Sequence, residues 1–179
     1  MLLHFVAFRS RCLRIGQSMM SAPPRPSPPV LMDHRPFVAL PEALALNNLA
    51  TALYNRGEHA GALPLHEQVL VLAQRAHAAA PNPQTTLDLV FAMCELGKTQ
   101  RRVGDFPGAQ AVLQQAVALA EPPPVGPDHP RLALVLRDLG RVLQQRGRYD
   151  EADATLQRAL AMQEQLLGPE HDDVSDTFS

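Results

Sequence analysis

"LRDLGRVLQQRGRYDEADATLQRAL", from Leu136 to Leu160, is the stretch that decides the fold. Leu136, Leu139 and Leu143 recur at spacings of three and four, which puts them on one face of a helix. Gly140 follows Leu139 and leaves that face without a side chain at one point, so a second helix can come close. Gly147 stops the run, because glycine adopts the left-handed conformation that closes a last helical turn. Asp150 then stands where an acid favours a helix start. Beyond it Ala152, Leu156 and Ala159 line one face of a second helix. The stretch therefore encodes two helices, a tight turn and a contact built of small residues.

The same anatomy occurs twice upstream. It is found in "LNNLATALYNRGEHAGALPLHEQVL" (Leu46–Leu70) and in "MCELGKTQRRVGDFPGAQAVLQQAV" (Met93–Val117). Gly57, Gly104 and Gly147 hold one position, roughly 45 residues apart, and a period in this range signals stacked supersecondary units. Leu49–Ala50, Leu96–Gly97 and Leu139–Gly140 are equivalent pairs. Ala62, Ala109 and Ala152 are equivalent on the second helix, followed by His66, Leu113 and Leu156 and then by Val69, Ala116 and Ala159. The first linker, "RAHAAAPNPQTTLD", is longer than the second interval requires. The second, "AEPPPVGPDHP", carries consecutive prolines that forbid helix across it.

Composition agrees. Hydrophobic residues are 46% of the 179, dominated by Ala and Leu, with aromatics at 4% and no Trp, so the core must be assembled from small aliphatic layers. The formal net charge of −2 does not mark the whole molecule as a nucleic-acid binder. Cys12 and Cys94 make no disulfide framework and point to a reducing, cytoplasmic compartment. No apolar run approaches the ~20 residues of a membrane span.

Residues 1–35 read differently. "MLLHFVAFRSRCLRIGQSMM" holds Arg9, Arg11 and Arg14 and no acid, and "SAPPRPSPPV" cannot fold compactly. A disordered arm, a start at Met19, Met20 or Met32, and an organelle presequence over residues 1–20 all fit. A secretory signal does not, since arginines interrupt its apolar run.

The repeats resemble the tetratricopeptide repeat. The third matches its pattern best, through Leu136, Leu139, Gly140, Leu143, Gly147, Tyr149, Ala152, Leu156 and Ala159. The long period, "LNNLA" at Leu46–Ala50, Pro64 two residues after Ala62 and the "GPDHP" linker at Gly126–Pro130 resemble the kinesin-light-chain subtype. The resemblance implies an all-α solenoid over residues 36–179. It would have three antiparallel helix pairs at about 42–83, 84–127 and 128–168. "GPEHDDV" would then open a truncated fourth repeat, a stub over 169–179. No repeat carries a large aromatic at the first signature position, where Leu46, Met93 and Leu136 stand. The sequence shows no heptad segment of the kind that joins a light chain to its heavy chain, so a motor subunit is not implied.

In such stacks the first helix of each repeat lines a concave groove. The corresponding positions are Asn47, Thr51, Tyr54 and Asn55, then Cys94, Lys98, Arg101 and Arg102, then Arg137, Arg141, Gln144 and Gln145. Five cations and several amides suit an extended, carboxylate-rich peptide, with Arg holding carboxylates bidentately. Asn47 and Asn48 resemble the asparagine pair that, in the subtype, contacts cargo peptide. The carboxylate clamp of chaperone-binding repeats is not matched, because Asn47 is followed four residues on by Thr51.

The expected function is therefore a non-enzymatic scaffold or adaptor that binds a protein or peptide partner, with no cofactor. Alternatives are a fragment of a larger repeat protein with an incomplete surface, and nucleic-acid binding through the basic groove. The latter is the weaker fit, since Tyr54 is the groove's only aromatic residue and single-strand binders interleave aromatics. Leu160, Leu166 and Leu167 would pack on a further unit or support self-association. No His pair has metal-ligand spacing, and no catalytic or phosphate-loop motif is present. Asp128 reads as a helix-start residue rather than an acid or base.

Overall fold

The computed structural model describes residues 37, 40–123 and 125–167, with nothing said of the side chains of Leu166 and Leu167. The expectations for the arm and for the stub at 169–179 lie outside the described residues. Six helices follow one another: α1 (Pro41–Asn55), α2 (His59–Ala79), α3 (Pro83–Val103), α4 (Phe106–Ala120), α5 (Pro130–Gln145) and α6 (Tyr149–Leu167). No strand occurs among the described residues. Each helix packs on the next, and α3 also touches α5 across the repeat boundary. The result is an all-helical stack of three antiparallel pairs.

The turn inside each pair is the same. Gly57, Gly104 and Gly147 have φ of +84°, +90° and +74°, a conformation costly for any residue with a Cβ. Just past each of them a backbone amide reaches back to a carbonyl of the first helix. Glu58 donates to Leu53 at 2.9 Å, Asp105 to Gln100 at 2.9 Å and Arg148 to Leu143 at 3.0 Å. These bonds satisfy carbonyls that a helix end leaves orphaned. The Asp105 side chain then caps α4 by accepting from the Gly108 amide at 3.0 Å.

The pairs close through the small residues. A Cβ at Gly97 would lie 2.7 Å from Leu113 Cγ, and one at Gly140 would lie 2.6 Å from Leu156 Cγ. Leu113 and Leu156 are buried in the space these glycines vacate. The first pair solves the same problem differently, with Ala50 and His66 in place of Gly and Leu. His66 is turned away from α1: its Nδ1 lies 2.8 Å from Thr99 Oγ1 on α3. The Thr99 hydroxyl donates to the Glu95 carbonyl at 3.0 Å, so it accepts from His66 Nδ1–H and fixes the neutral tautomer. Burial, and then the charge of Lys98, lower the His66 pKa to about 4.

Two linker expectations are refined. The extra length of the first linker is helix, since α2 and α3 each have 21 residues and only residues 80–82 lie between them. Asn82 accepts from the Thr85 amide while Thr85 Oγ1 accepts from the Asn82 amide, a reciprocal cap that starts α3 sharply. In the second linker the cap is not Asp128. His129 Nδ1 accepts from the Arg131 amide at 3.1 Å, and α5 begins at Pro130.

Equivalence fails at the first repeat's outer side. Leu96 and Leu139 are 5% and 7% exposed, but Leu49 is 52% exposed. Among the described residues no helix pair precedes α1, so the face that α3 lays on α2 is open to solvent on α1. Leu44 is exposed there too. Phe37 folds back from the start of α1, edge-on to Phe91 with ring centroids 5.7 Å apart, and its amide donates to Asp88 Oδ1.

Two outcomes follow. Gly140→Ala raises helix propensity yet costs about 1–3 kcal/mol through overpacking against Leu156. Urea unfolding checks this, and an equal or higher midpoint contradicts it. For His66, the unfolded chain titrates near the ordinary 6.5 and the folded chain near 4. The folded state thus binds fewer protons, and its stabilisation is complete above about pH 6.5 and lost as pH falls toward 4. Between pH 7.5 and 5 the chain should lose about 2 kcal/mol by this route. His66→Gln should remove that share of the pH dependence, and an unaltered pH profile in this variant contradicts the assignment.

Candidate functional site

The first helices of the three pairs form one wall. Tyr54 on α1 joins Arg102 on α3, whose Nε donates to the tyrosine hydroxyl at 3.1 Å. Between α3 and α5 lies a trough, deepened into a cavity of about 210 Å3. Its apolar floor includes Val90, Phe91, Leu134 and Val135, and its polar lining is Cys94, Glu95, Lys98, Arg131, Arg137 and Asp138.

Helix geometry sets this lining. Phe91, Cys94, Glu95 and Lys98 recur at three and four along α3, and Arg131, Leu134, Val135 and Asp138 do so along α5. The site therefore includes two carboxylates, Glu95 and Asp138, each one position along from an expected groove residue. Glu95 pairs with Lys98 at 2.5 Å. Asp138, only 2% exposed, accepts from Cys94 Sγ at 3.3 Å and lies 3.7 Å from Arg137 Nε. Arg131 sits 4.8 Å over the Phe91 ring, a cation–π contact that holds its charge at the cavity edge.

The charges tune one another. Burial, and then the Asp138 carboxylate, push the Cys94 thiol well above its ordinary range. The thiol is thus a proton donor to Asp138 rather than a nucleophile. Burial works against the charge on Lys98, but the Cys94 sulfur, once ionised at high pH, and the Glu95 and Asp138 carboxylates outweigh it and hold the ammonium above its usual range. Among the described residues no group of three or more His, Cys, Asp and Glu could hold a metal ion, and no helix is long and apolar enough to cross a membrane.

The expected groove residues separate into three sets. Lys98 and Arg137 line the cavity. Tyr54, Arg101, Arg102 and Arg141 lie toward the far end of the wall, with Arg101 within electrostatic range of the other three. Asn55, Gln144 and Gln145 are exposed at the ends of α1 and α5, and Thr51 is half-buried. Asn47 departs from a solvent-facing role: it is 5% exposed, and its Oδ1 has no hydrogen-bond partner among the protein atoms. The Nε atoms of Arg101 and Arg137 likewise lack a hydrogen-bond acceptor. Such atoms cost free energy unless a partner supplies the missing bond. Phe91 and Arg131 were not anticipated from the sequence, although their helical spacing from Cys94 and Asp138 was available.

Family models for the tetratricopeptide repeat match residues 43–80, covering nearly all of the first pair, and residues 124–165, covering most of the third. Among solved structures the chain is similar to BtubC (BKLC) from P. vanneervenii, at 19% identity and a TM-score of 0.64, covering 78% of this chain and 52% of that one. It is also similar to a Podosopora anserina protein named for kinesin light chain, with nearly identical TPR-like repeats. Two structures of that protein match at 23% identity, with TM-scores of 0.62 and 0.63, over 75% of this chain and 60% and 61% of theirs. This chain thus spans about half to three-fifths of the length of those structures. No curated protein matches its sequence. Residues 43–80 and 124–165 thus carry tetratricopeptide repeats, and the chain shares the fold of these solved repeat structures.

The buried thiol gives a direct check on the site. In a Cys12→Ser background, Cys94 should react with a thiol reagent at least about 100-fold more slowly in the native protein than in urea. Fast native labelling contradicts the Cys94–Asp138 arrangement.

Proposed function

We propose that this tetratricopeptide-repeat protein is a non-enzymatic adaptor that takes an extended, acidic peptide segment along the wall formed by α1, α3 and α5. Repeats of this kind serve protein–protein interaction, and that general role is the premise. One observation carries the finer reading. Basic side chains gather on a single wall, with Lys98 and Arg137 lining its cavity and Arg101, Arg102 and Arg141 beyond it. A peptide backbone offers both N–H and C=O groups, and its acidic side chains offer oxygens for guanidinium forks.

The charge pattern supports an acidic rather than a neutral segment. Lys98, Arg101, Arg102, Arg131, Arg137 and Arg141 lie along α3 and α5, against Glu95 and Asp138. Both acids are engaged, Glu95 with Lys98 and Asp138 with Cys94 and Arg137. The wall therefore keeps a net positive field although the whole chain has a formal charge of −2. The apolar cavity beside Phe91 would accept one side chain of the segment as an anchor.

A complete binding surface would need the remaining length of a longer repeat array if the partner extends past three pairs. The present wall is then one portion of it.

The test uses a pool of twelve-residue peptides rich in Asp and Glu, with anisotropy as the readout. Arg137→Glu with Arg141→Glu should weaken binding about tenfold or more, with the helical circular dichroism unchanged. Unchanged affinity in the double variant, or no binding of the pool by the parent chain, overturns the reading.

A further inference from the structure

We infer that Arg101 and Arg102, beside Tyr54 at the far end of the wall and with Arg141 within electrostatic range of Arg101, form a phosphoryl-binding subsite. Its occupant is a phosphorylated serine or threonine of the peptide segment. The inference rests on the peptide-binding reading above and specifies one position of that ligand.

The wall divides by charge. Around the cavity, Lys98 pairs with Glu95 at 2.5 Å, Arg137 lies 3.7 Å from Asp138, and Arg131 lies over the Phe91 ring. One turn further along, the pattern changes. Among the described residues neither Arg101 nor Arg102 makes an ion pair with a carboxylate, and they are adjacent in the last turn of α3. Arg102 instead gives its Nε to the Tyr54 hydroxyl at 3.1 Å and lies 6.0 Å from the ring centroid. The Arg101 Nε is buried without an acceptor. Burial, then Arg102, and also Arg141, lower the Arg101 pKa, as expected where like charges are crowded and part-desolvated. The C-terminal end of α3 offsets some of that repulsion through its macrodipole, which lets the cluster exist before a ligand arrives.

The cluster's donors suit one chemistry best. Arg102 gives its Nε to Tyr54, and among the described residues no hydrogen bond or ion pair engages the terminal nitrogens of Arg102 or Arg101. The Tyr54 hydroxyl accepts from Arg102 and retains its own proton to donate. A side-chain carboxylate brings one charge and two oxygens. A phosphoserine brings a charge of about −1.5 to −2 and three oxygens, closer to what two guanidiniums and a hydroxyl can engage, with the Arg141 charge adding to the field. Nucleic acid shares the phosphate but also needs open aromatic faces. Here the Tyr54 ring packs on His59, centroids 4.8 Å apart, and lies under Arg102.

The experiment compares three degenerate acidic peptide pools on the full chain, identical except for a central phosphoserine, glutamate or serine. The phosphoserine pool should bind about tenfold more tightly than the serine pool and roughly fivefold more tightly than the glutamate pool at pH 7.5. Inorganic phosphate should compete with the phosphoserine pool alone. The advantage should shrink below pH 6, where the phosphate takes up its second proton. Arg101→Gln with Arg102→Gln should erase the phosphoserine advantage, weakening that pool far more than it weakens the serine and glutamate pools.

Equal binding of the phosphoserine and glutamate pools overturns the subsite while the groove reading stands. Failure of all three pools overturns both. Equal loss of every pool in the double variant reduces the cluster to a general field and overturns the subsite. Tighter, sequence-indifferent binding of a single-stranded oligonucleotide, falling steeply with salt, replaces it with a nucleic-acid site.

Discussion

Two missing side chains govern this structure. At Gly97 and Gly140 the helices of a pair approach so closely that a single added carbon would overlap the Leu113 or Leu156 side chain. That approach buries Leu113 and Leu156 in a chain with few aromatics to fill a core. It also fixes the angle at which the second helix returns, and hence where the next pair can stack. The left-handed glycines complete the unit by reversing the chain with the carbonyls satisfied. Once the pairs stack, α1, α3 and α5 share one side, and every feature of the wall follows from that.

The wall is polar at a depth where polarity is costly. Asp138 is buried and remains tolerable because the Cys94 thiol donates to it and Arg137 lies beside it. Glu95 and Lys98 settle one another on the same helix. Beyond these pairs, toward Tyr54, stand Arg101, Arg102 and Arg141. The wall thus differs from one end to the other. An extended ligand reading it would meet an apolar pocket first and a guanidinium cluster second.

The repeating units were legible because their signals are backbone requirements. Gly57, Gly104 and Gly147 are visible in any register, and the helices around them obey the expected faces. Substitutions inside the repeat were harder to read. His66 stands where leucine stands elsewhere, and only the structure shows the ring turned to Thr99 on the next pair. Leu49 looks equivalent to Leu96 and Leu139, yet its exposure depends on what precedes α1, which a one-dimensional pattern does not carry. Glu95 and Asp138 stand one position along from the expected Cys94 and Arg137, and both line the cavity. A helix side is broad enough to bring both neighbours of a residue onto a concave wall, so single-position assignment was too narrow. Asn47 was assigned to the open groove, whereas it is buried with an unpartnered oxygen.

The account's central claim is that the wall of α1, α3 and α5 is the binding surface. The most direct measurement is amide hydrogen exchange of the full chain with and without a saturating acidic peptide. The account predicts added protection along α3 and α5, around Lys98, Arg101, Arg137 and Arg141, with little change along α2 and α4. Protection confined to the second helices, or to the exposed face of α1 around Leu44 and Leu49, would contradict it.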